Sequence, residues 1–104
     1  MTKADALWRS ICKKTYCEKC GARGWLEPHH IVTRSNRNLR WDLRNRMWLC
    51  LDCHKWQQDH PKDFLTWFKQ FKPEDHAYLM RKKIELWDGD IDRVLDYLKE
   101  VDDE

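Results

Sequence analysis

Cys17-Glu18-Lys19-Cys20 and Cys50-Leu51-Asp52-Cys53-His54 are the two stretches that decide the fold of this 104-residue chain. Each contains a Cys-x-x-Cys motif, and 29 residues lie between Cys20 and Cys50. Four thiolates in this pattern are typical of one tetrahedral zinc site that joins two distant parts of a chain. We therefore predict a structural Zn²⁺ bound by Cys17, Cys20, Cys50 and Cys53.

Two other chemistries use the same cysteine spacing. A redox pair needs one Cys-x-x-Cys motif, whereas this chain contains two, which favours a shared metal. The residues from Cys50 to His54 also match the haem-attachment pattern Cys-x-x-Cys-His, but that interpretation leaves Cys17 and Cys20 without a role. The N-terminal residues lack the apolar core of a signal peptide, which predicts a cytoplasmic protein with reduced thiols. The fifth cysteine, Cys12, is predicted to be a small core residue on a helix.

Length and composition limit the architecture and the partner. One domain over residues 1–104 is expected, with a modest core because charged residues make up 37% of the chain. No apolar run approaches the ~18 residues of a membrane span, so no membrane partner is predicted. Residues 1–60 carry a net charge of +6 and residues 61–104 carry −4. The basic half contains both cysteine motifs, which favours nucleic acid as the partner.

Hydrophobic patterning predicts a small α+β fold. Residues 4–14 have the spacing of an amphipathic helix, residues 25–32 and 46–49 favour strands, and a helix is expected to start at His54. Residues 61–104 are predicted to be a helical extension, with helices that open at Pro61, at Pro73 and after Asp90. Its helical spacing predicts that Phe64, Trp67, Phe68, Phe71 and Ile84 face the core. Its acidic surface is a candidate for a homodimer or protein-partner contact.

A second set of residues lies between and after the cysteine motifs, where a purely structural zinc site has no need for it. His29 and His30 follow Pro28, Asn45 precedes the second motif, and His54 follows that motif directly. Adjacent strand residues point to opposite faces, so one imidazole can bind a metal while its neighbour acts on a water molecule. A core or capping role for one of the two histidines is the alternative.

The order His-His-Ile, then Asn, then Cys-x-x-Cys-His resembles the HNH endonucleases of the His-Me (ββα-metal) finger group over residues 17–54. The resemblance implies a zinc-clamped ββα nuclease core over residues 17–60, flanked by an N-terminal helix and C-terminal helices. It implies that His30 is the general base and that His29 and His54 bind a catalytic divalent ion. Asn45 either contacts that ion or orients the base.

The resemblance also implies the reaction, which is metal-dependent hydrolysis of phosphodiester bonds in DNA, most simply double-stranded DNA. The catalytic ion would be Mg²⁺ or Mn²⁺, and nitrogen ligands also suit Ni²⁺ or Co²⁺. Small stand-alone proteins that resemble this family occur in phages and mobile elements, so the resemblance also implies such a setting. Candidate phosphate contacts come from the loop between the cysteine motifs, because arginine binds phosphate in a bidentate way; they are Arg34, Arg37, Arg40 and Arg44.

Two rival functions are consistent with parts of the sequence. The first is a non-catalytic zinc module that binds nucleic acid through the arginine-rich loop. The second is an interaction domain that binds a partner through its acidic helical extension. The full set of His29, His30, Asn45 and His54 favours the nuclease over both, because neither rival function requires those four residues.

Overall fold

A computed structural model describes residues 2–102 and arranges them around one short antiparallel hairpin. In the hairpin, Leu26 lies opposite Cys50 and His29 lies opposite Met47. Two strands followed by a helix, with further helices before and after them, confirm the predicted α+β class. The elements in chain order are α1 (Lys3–Ser10), β1 (Leu26–His29), β2 (Met47–Cys50), α2 (Leu51–Asp59), α3 (Pro61–Phe71), α4 (Pro73–Lys82) and α5 (Ile91–Asp102).

The first cysteine motif lies along the outer edge of β2. The backbone N–H of Glu18 donates to the carbonyl of Trp48 at 2.9 Å, and the Glu18 carboxylate accepts from the Trp48 N–H at 2.7 Å. The motif turns at Gly21, whose φ of +79° suits glycine and whose N–H donates to the Cys17 carbonyl. These contacts hold the first motif beside the second one, because Cys50 is the last residue of β2.

Two hydrophobic clusters form the core, and the first of them includes the hairpin. In the first cluster, Met47, Trp48 and Leu49 of β2 pack with Phe64 and Phe68 of α3. The second cluster joins both ends of the described chain, because its buried members come from α1, from the loop at Trp41 and from α5. Within residues 2–102, no helix combines the length and the apolar character that crossing a membrane requires.

Three expectations about buried residues are wrong. Cys12 is exposed and adopts a φ of 52°, because α1 ends at Ser10 and the chain turns there. Phe71, the last residue of α3, is half exposed and stacks on Trp67 at the surface. Ile84 is 79% exposed because α4 stops at Lys82.

Side chains of the loop before β2 explain why α4 ends early. The amide of Asn38 donates to the carbonyls of Lys82 and Glu85 at 2.7 and 3.0 Å, and the amide of Asn36 donates to the carbonyl of Lys83 at 2.9 Å. Helix ends leave carbonyls without intrahelical partners, and these amides supply them. Ile84 lies in this capped segment and not on a helical face.

Candidate functional site

The four cysteines of the two motifs form a compact sulfur cluster. Their Sγ atoms all lie within 4.8 Å of one another, and those of Cys20 and Cys50 are 3.7 Å apart. A zinc ion with Zn–S bonds of ~2.3 Å places tetrahedral sulfurs about 3.8 Å apart, so the cluster fits zinc. In residues 2–102, Cys17, Cys20, Cys50 and Cys53 are the one group of three or more His, Cys, Asp or Glu residues that meets this spacing.

The thiols of this cluster differ in how readily they ionise. Burial raises the pKa of Cys17, but backbone N–H groups, among them that of Cys20, lower it to about 6. Burial and the neighbouring thiols raise the pKa of Cys53 well above its usual range. One thiol therefore ionises readily while another resists ionisation. A divalent cation removes that resistance, because it stabilises the thiolate form of its ligands.

His29 and His54 face each other across the junction of the hairpin and α2. Their ring centroids are 5.0 Å apart, and the Phe64 ring lies perpendicular to that of His29 with centroids 5.9 Å apart. Burial is the main reason that the pKa of His29 falls to about 4, and the nearby His54 and His30 lower it further. His29 is therefore neutral at pH 7, the form in which imidazole binds a metal.

Glu27 is a neighbour of this histidine pair that the sequence analysis did not identify. It lies two residues before His29 on β1, so both side chains share one face of the strand. One carboxylate oxygen of Glu27 is 3.4 Å from Nδ1 of His54, and the other accepts a hydrogen bond from Trp25. A carboxylate at Nδ1 leaves Nε2 of His54 available to a metal, as in many histidine-metal sites. The sequence signal that could have identified Glu27 is its spacing from His29, because alternate residues of a strand share one face.

His30 points away from this pair, toward α1. Its ring stacks on Trp8 with centroids 3.9 Å apart and planes 9° from parallel. Its Nε2 atom is 2.9 Å from the carbonyl oxygen of Arg40, which can only accept, so Nε2 carries the proton and Nδ1 has the free lone pair. Burial lowers the pKa of His30, although the bond to Arg40 opposes this effect. His30 is therefore neutral at pH 7.

Asn45 is completely buried, and its amide is saturated by backbone partners. Its Oδ1 accepts from the N–H groups of Ile31 and Val32 at 3.1 and 2.7 Å. Its Nδ2 donates to the carbonyls of Val32 and Leu39 at 2.9 and 3.0 Å. An amide group makes four hydrogen bonds in total, so none is left for a metal. The geometry favours orientation of the residues that follow His30 over metal ligation.

Residues 17–60 match the HNH endonuclease family model. This match confirms the resemblance inferred from the motifs, and the matched HNH segment contains both cysteine motifs and all three central histidines. No curated protein and no solved structure matches the chain. The HNH segment begins at Cys17, so α1 lies outside it.

Two of the four candidate phosphate-binding arginines of the HNH segment are paired with carboxylates. Arg40 makes a bidentate contact with Asp5, at 3.0 and 2.7 Å. Arg44 donates to Asp75 at 2.8 Å and is half exposed. A phosphate would have to compete with these acids for both guanidinium groups.

The other two arginines are exposed. Arg34 reaches Asp5 only at 3.8 Å, and Arg37 lies over the ring of Trp87 at 5.4 Å from its centroid. Arg34 also lines a cavity of about 250 Å³ together with His30, Trp8, Asp5 and Arg9. His29 and His54 are not among the residues that line this cavity. The structure thus brings His29 together with His54, and His30 together with Arg34, on the two sides of one dipeptide.

Proposed function

We propose that this protein is a metal-dependent endonuclease that hydrolyses phosphodiester bonds in DNA. The observation that carries the proposal is the protonation and orientation of the His30 ring, in a segment that matches the HNH endonuclease family model. Its Nε2–H is committed to the Arg40 carbonyl, which leaves a neutral imidazole with a free Nδ1 lone pair. A neutral imidazole with one fixed nitrogen has the form that a general base requires.

In this proposal, His30 accepts a proton at Nδ1 from the attacking water molecule. The proton is held on an imidazolium whose other nitrogen still donates to Arg40, so the ring does not have to reorient during the step. Asn45 assists by fixing the backbone of Ile31 and Val32, directly after the base. Asn45 is thus a positioning residue and not a metal ligand.

His29 and His54 would hold one divalent ion, because they are two adjacent imidazoles and His29 is neutral at pH 7. When bound, such an ion acts as a Lewis acid toward the phosphate and stabilises the charge on the leaving oxygen. Mg²⁺ or Mn²⁺ is proposed, and Ni²⁺ or Co²⁺ also suits imidazole ligands. Glu27 would orient His54 from its Nδ1 side. The zinc at the four cysteines would be structural.

The proposed substrate is double-stranded DNA. Arg34 and Arg37 are the best candidates for phosphate contacts, because both are exposed and neither makes the close bidentate contact seen at Arg40. Binding through such contacts weakens as salt rises, because counterions are released from the DNA. Two further expectations stay predictions. The first is a single domain over residues 1–104, and the second is a homodimer or protein partner that binds the helical extension.

A zinc-containing module that binds DNA without cutting it is the second candidate function. One observation favours it: within residues 2–102, no third His, Cys, Asp or Glu joins His29 and His54 at metal-cluster spacing. A catalytic ion would then depend on water and phosphate oxygens for its remaining ligands. Mg²⁺ commonly keeps several waters, so this observation weakens the first proposal without excluding it.

A nicking assay on supercoiled plasmid separates the two functions. Zinc-loaded protein is incubated with plasmid in metal-free buffer or with added Mg²⁺ or Mn²⁺, beside the variants His29→Ala and His60→Ala. His60 is an exposed histidine whose side chain lies near Asp63 and Trp56, and it serves as the matched control. We expect metal-dependent nicking by the wild type and His60→Ala and none by His29→Ala. Retarded but intact plasmid under all conditions would contradict the nuclease and support the binding module.

A further inference from the structure

We infer that helix α1, which lies outside the HNH segment, positions His30 through two of its side chains, Trp8 and Asp5. This inference rests on the proposed function, since it concerns the orientation of the proposed base. Residues 5 and 8 are three apart and therefore lie on the same face of a helix. That face is directed at His30 and at the chain segment 40–42.

Trp8 fixes the plane of the His30 ring. The two rings are nearly parallel, at 9°, with centroids 3.9 Å apart. Trp8 is only 2% exposed, and its Nε1–H donates to the carbonyl of Asp42 at 3.0 Å, so the indole has one orientation. A fixed aromatic face on one side of an imidazole limits rotation of that ring. Trp8 thereby restricts the direction of the Nδ1 lone pair.

Asp5 fixes the group that holds the other end of the His30 ring. Its carboxylate accepts two hydrogen bonds from Arg40, at 3.0 and 2.7 Å, and one from Trp41 at 2.9 Å. The backbone carbonyl of Arg40 is the partner of His30 Nε2. Asp5 therefore places the acceptor that selects the Nε2–H tautomer of the base.

Taken together, three consecutive residues of the loop are bonded to α1. Arg40 and Trp41 donate to Asp5 through their side chains, and Asp42 accepts from Trp8 through its carbonyl. The Asp5 carboxylate also accepts from Thr2 and so caps the start of α1, and the three bonds from Arg40 and Trp41 come in addition to that cap. The contacts of α1 with the hydrophobic cluster come from Ala4, Leu7 and Trp8.

The inference is tested by varying the two positioning residues and one control on the same helix. Trp8→Leu removes the aromatic face, Trp8→Phe keeps it, and Asp5→Asn removes the charge that holds Arg40. Leu7→Ala is the control, because Leu7 packs in the same cluster but its aliphatic side chain can neither stack as an aromatic ring on His30 nor hydrogen-bond to Arg40. Steady-state cleavage gives kcat and KM for each, and ¹H–¹⁵N NMR gives the tautomer of His30 without any need for activity.

We expect Trp8→Leu and Asp5→Asn to lower kcat by about 10- to 100-fold with KM unchanged, the size expected for a misplaced catalytic group. Trp8→Phe should restore most of kcat, and Leu7→Ala should match the wild type at temperatures where both are folded. In the NMR experiment, Asp5→Asn should convert a single Nε2–H tautomer into a mixture.

Wild-type kcat in both Trp8→Leu and Asp5→Asn, or a loss in Leu7→Ala as large as theirs, would overturn the inference. Should Trp8→Leu fail to fold, Asp5→Asn decides alone. Should the wild-type protein not cut DNA with any divalent ion, the proposed function fails. The tautomer then still decides the inference: an unchanged single tautomer in Asp5→Asn overturns it, and a mixture supports it.

Discussion

At the scale of single residues, the sequence leaves two roles open for Asn45, and the hydrogen bonds of its side chain favour one of them. Metal ligation and orientation of the base make different demands on an amide. A ligand must present its oxygen to the ion, whereas Asn45 uses both lone pairs on the N–H groups of Ile31 and Val32. Its two N–H groups are used on the carbonyls of Val32 and Leu39. Complete burial leaves no route for exchange with a ligand.

The substitution Asn45→Asp tests this interpretation. A carboxylate would face the carbonyls of Val32 and Leu39 in a buried site, so we expect the free energy of unfolding to fall by about 3 kcal/mol or more. Asn36→Asp is the matched control, since Asn36 donates one exposed hydrogen bond and should cost about 1 kcal/mol. Urea unfolding measures both. Stability near that of the wild type together with stronger Mn²⁺ binding would instead make Asn45 a metal ligand.

At the scale of elements, Arg46 decides where α1 ends and where it lies. Its buried guanidinium donates to the carbonyls of Trp8 and Ile11 at 2.7 and 2.8 Å, and to that of Cys12 at 3.4 Å. These are carbonyls at and just beyond the C-terminus of α1, where a helix leaves acceptors unpaired and where its dipole favours a positive charge. Burial lowers the pKa of Arg46, but an arginine stays charged at neutral pH.

We expect Arg46→Met to lower the free energy of unfolding by about 2–4 kcal/mol, because it leaves the buried carbonyls without donors. Arg44→Met, the same change two residues earlier, should cost less than about 1 kcal/mol, because its ion pair with Asp75 is half exposed. Urea unfolding followed by tryptophan fluorescence gives both values. Equal losses in the two variants would show that Arg46 has no special role in holding α1.

The element boundaries show which features a sequence can predict. Helix starts at Pro61 and Pro73 were predicted, and the Asp90 side chain does accept from the Arg93 N–H at the start of α5. Such caps depend on residues within one turn of each other. The early end of α1 was missed, because it depends on Arg46, which is more than thirty residues away in sequence.

At the scale of the whole molecule, two hydrophobic clusters and one sulfur cluster hold the chain together. The sulfur cluster joins the first motif to the hairpin and α2, while α1 and α5 pack together in the second hydrophobic cluster. The cysteines and the His29–His54 pair could be predicted from the sequence, because their spacing lies within one motif. The contacts of His30 could not be predicted, because Trp8 and Asp5 come from a helix outside that motif.

Loss of zinc should unfold the domain, because a structural zinc site contributes its binding energy to folding. We expect Cys50→Ser to abolish the cooperative thermal transition. Cys12→Ser should melt like the wild type, because Cys12 is exposed and lies outside the sulfur cluster. Metal analysis should find one zinc ion per wild-type chain. A Cys50→Ser protein with the wild-type Tm would contradict a structural role for the site.

The most direct test of the central claim is the single-turnover rate of DNA cleavage by His30→Ala beside its DNA affinity. The protein is used zinc-loaded, in excess over DNA and with Mn²⁺. Removal of a general base should lower the rate by about 100-fold or more while DNA affinity stays at the wild-type value, at a temperature where both proteins are folded. A His30→Ala protein that cuts DNA at the wild-type rate would contradict the account.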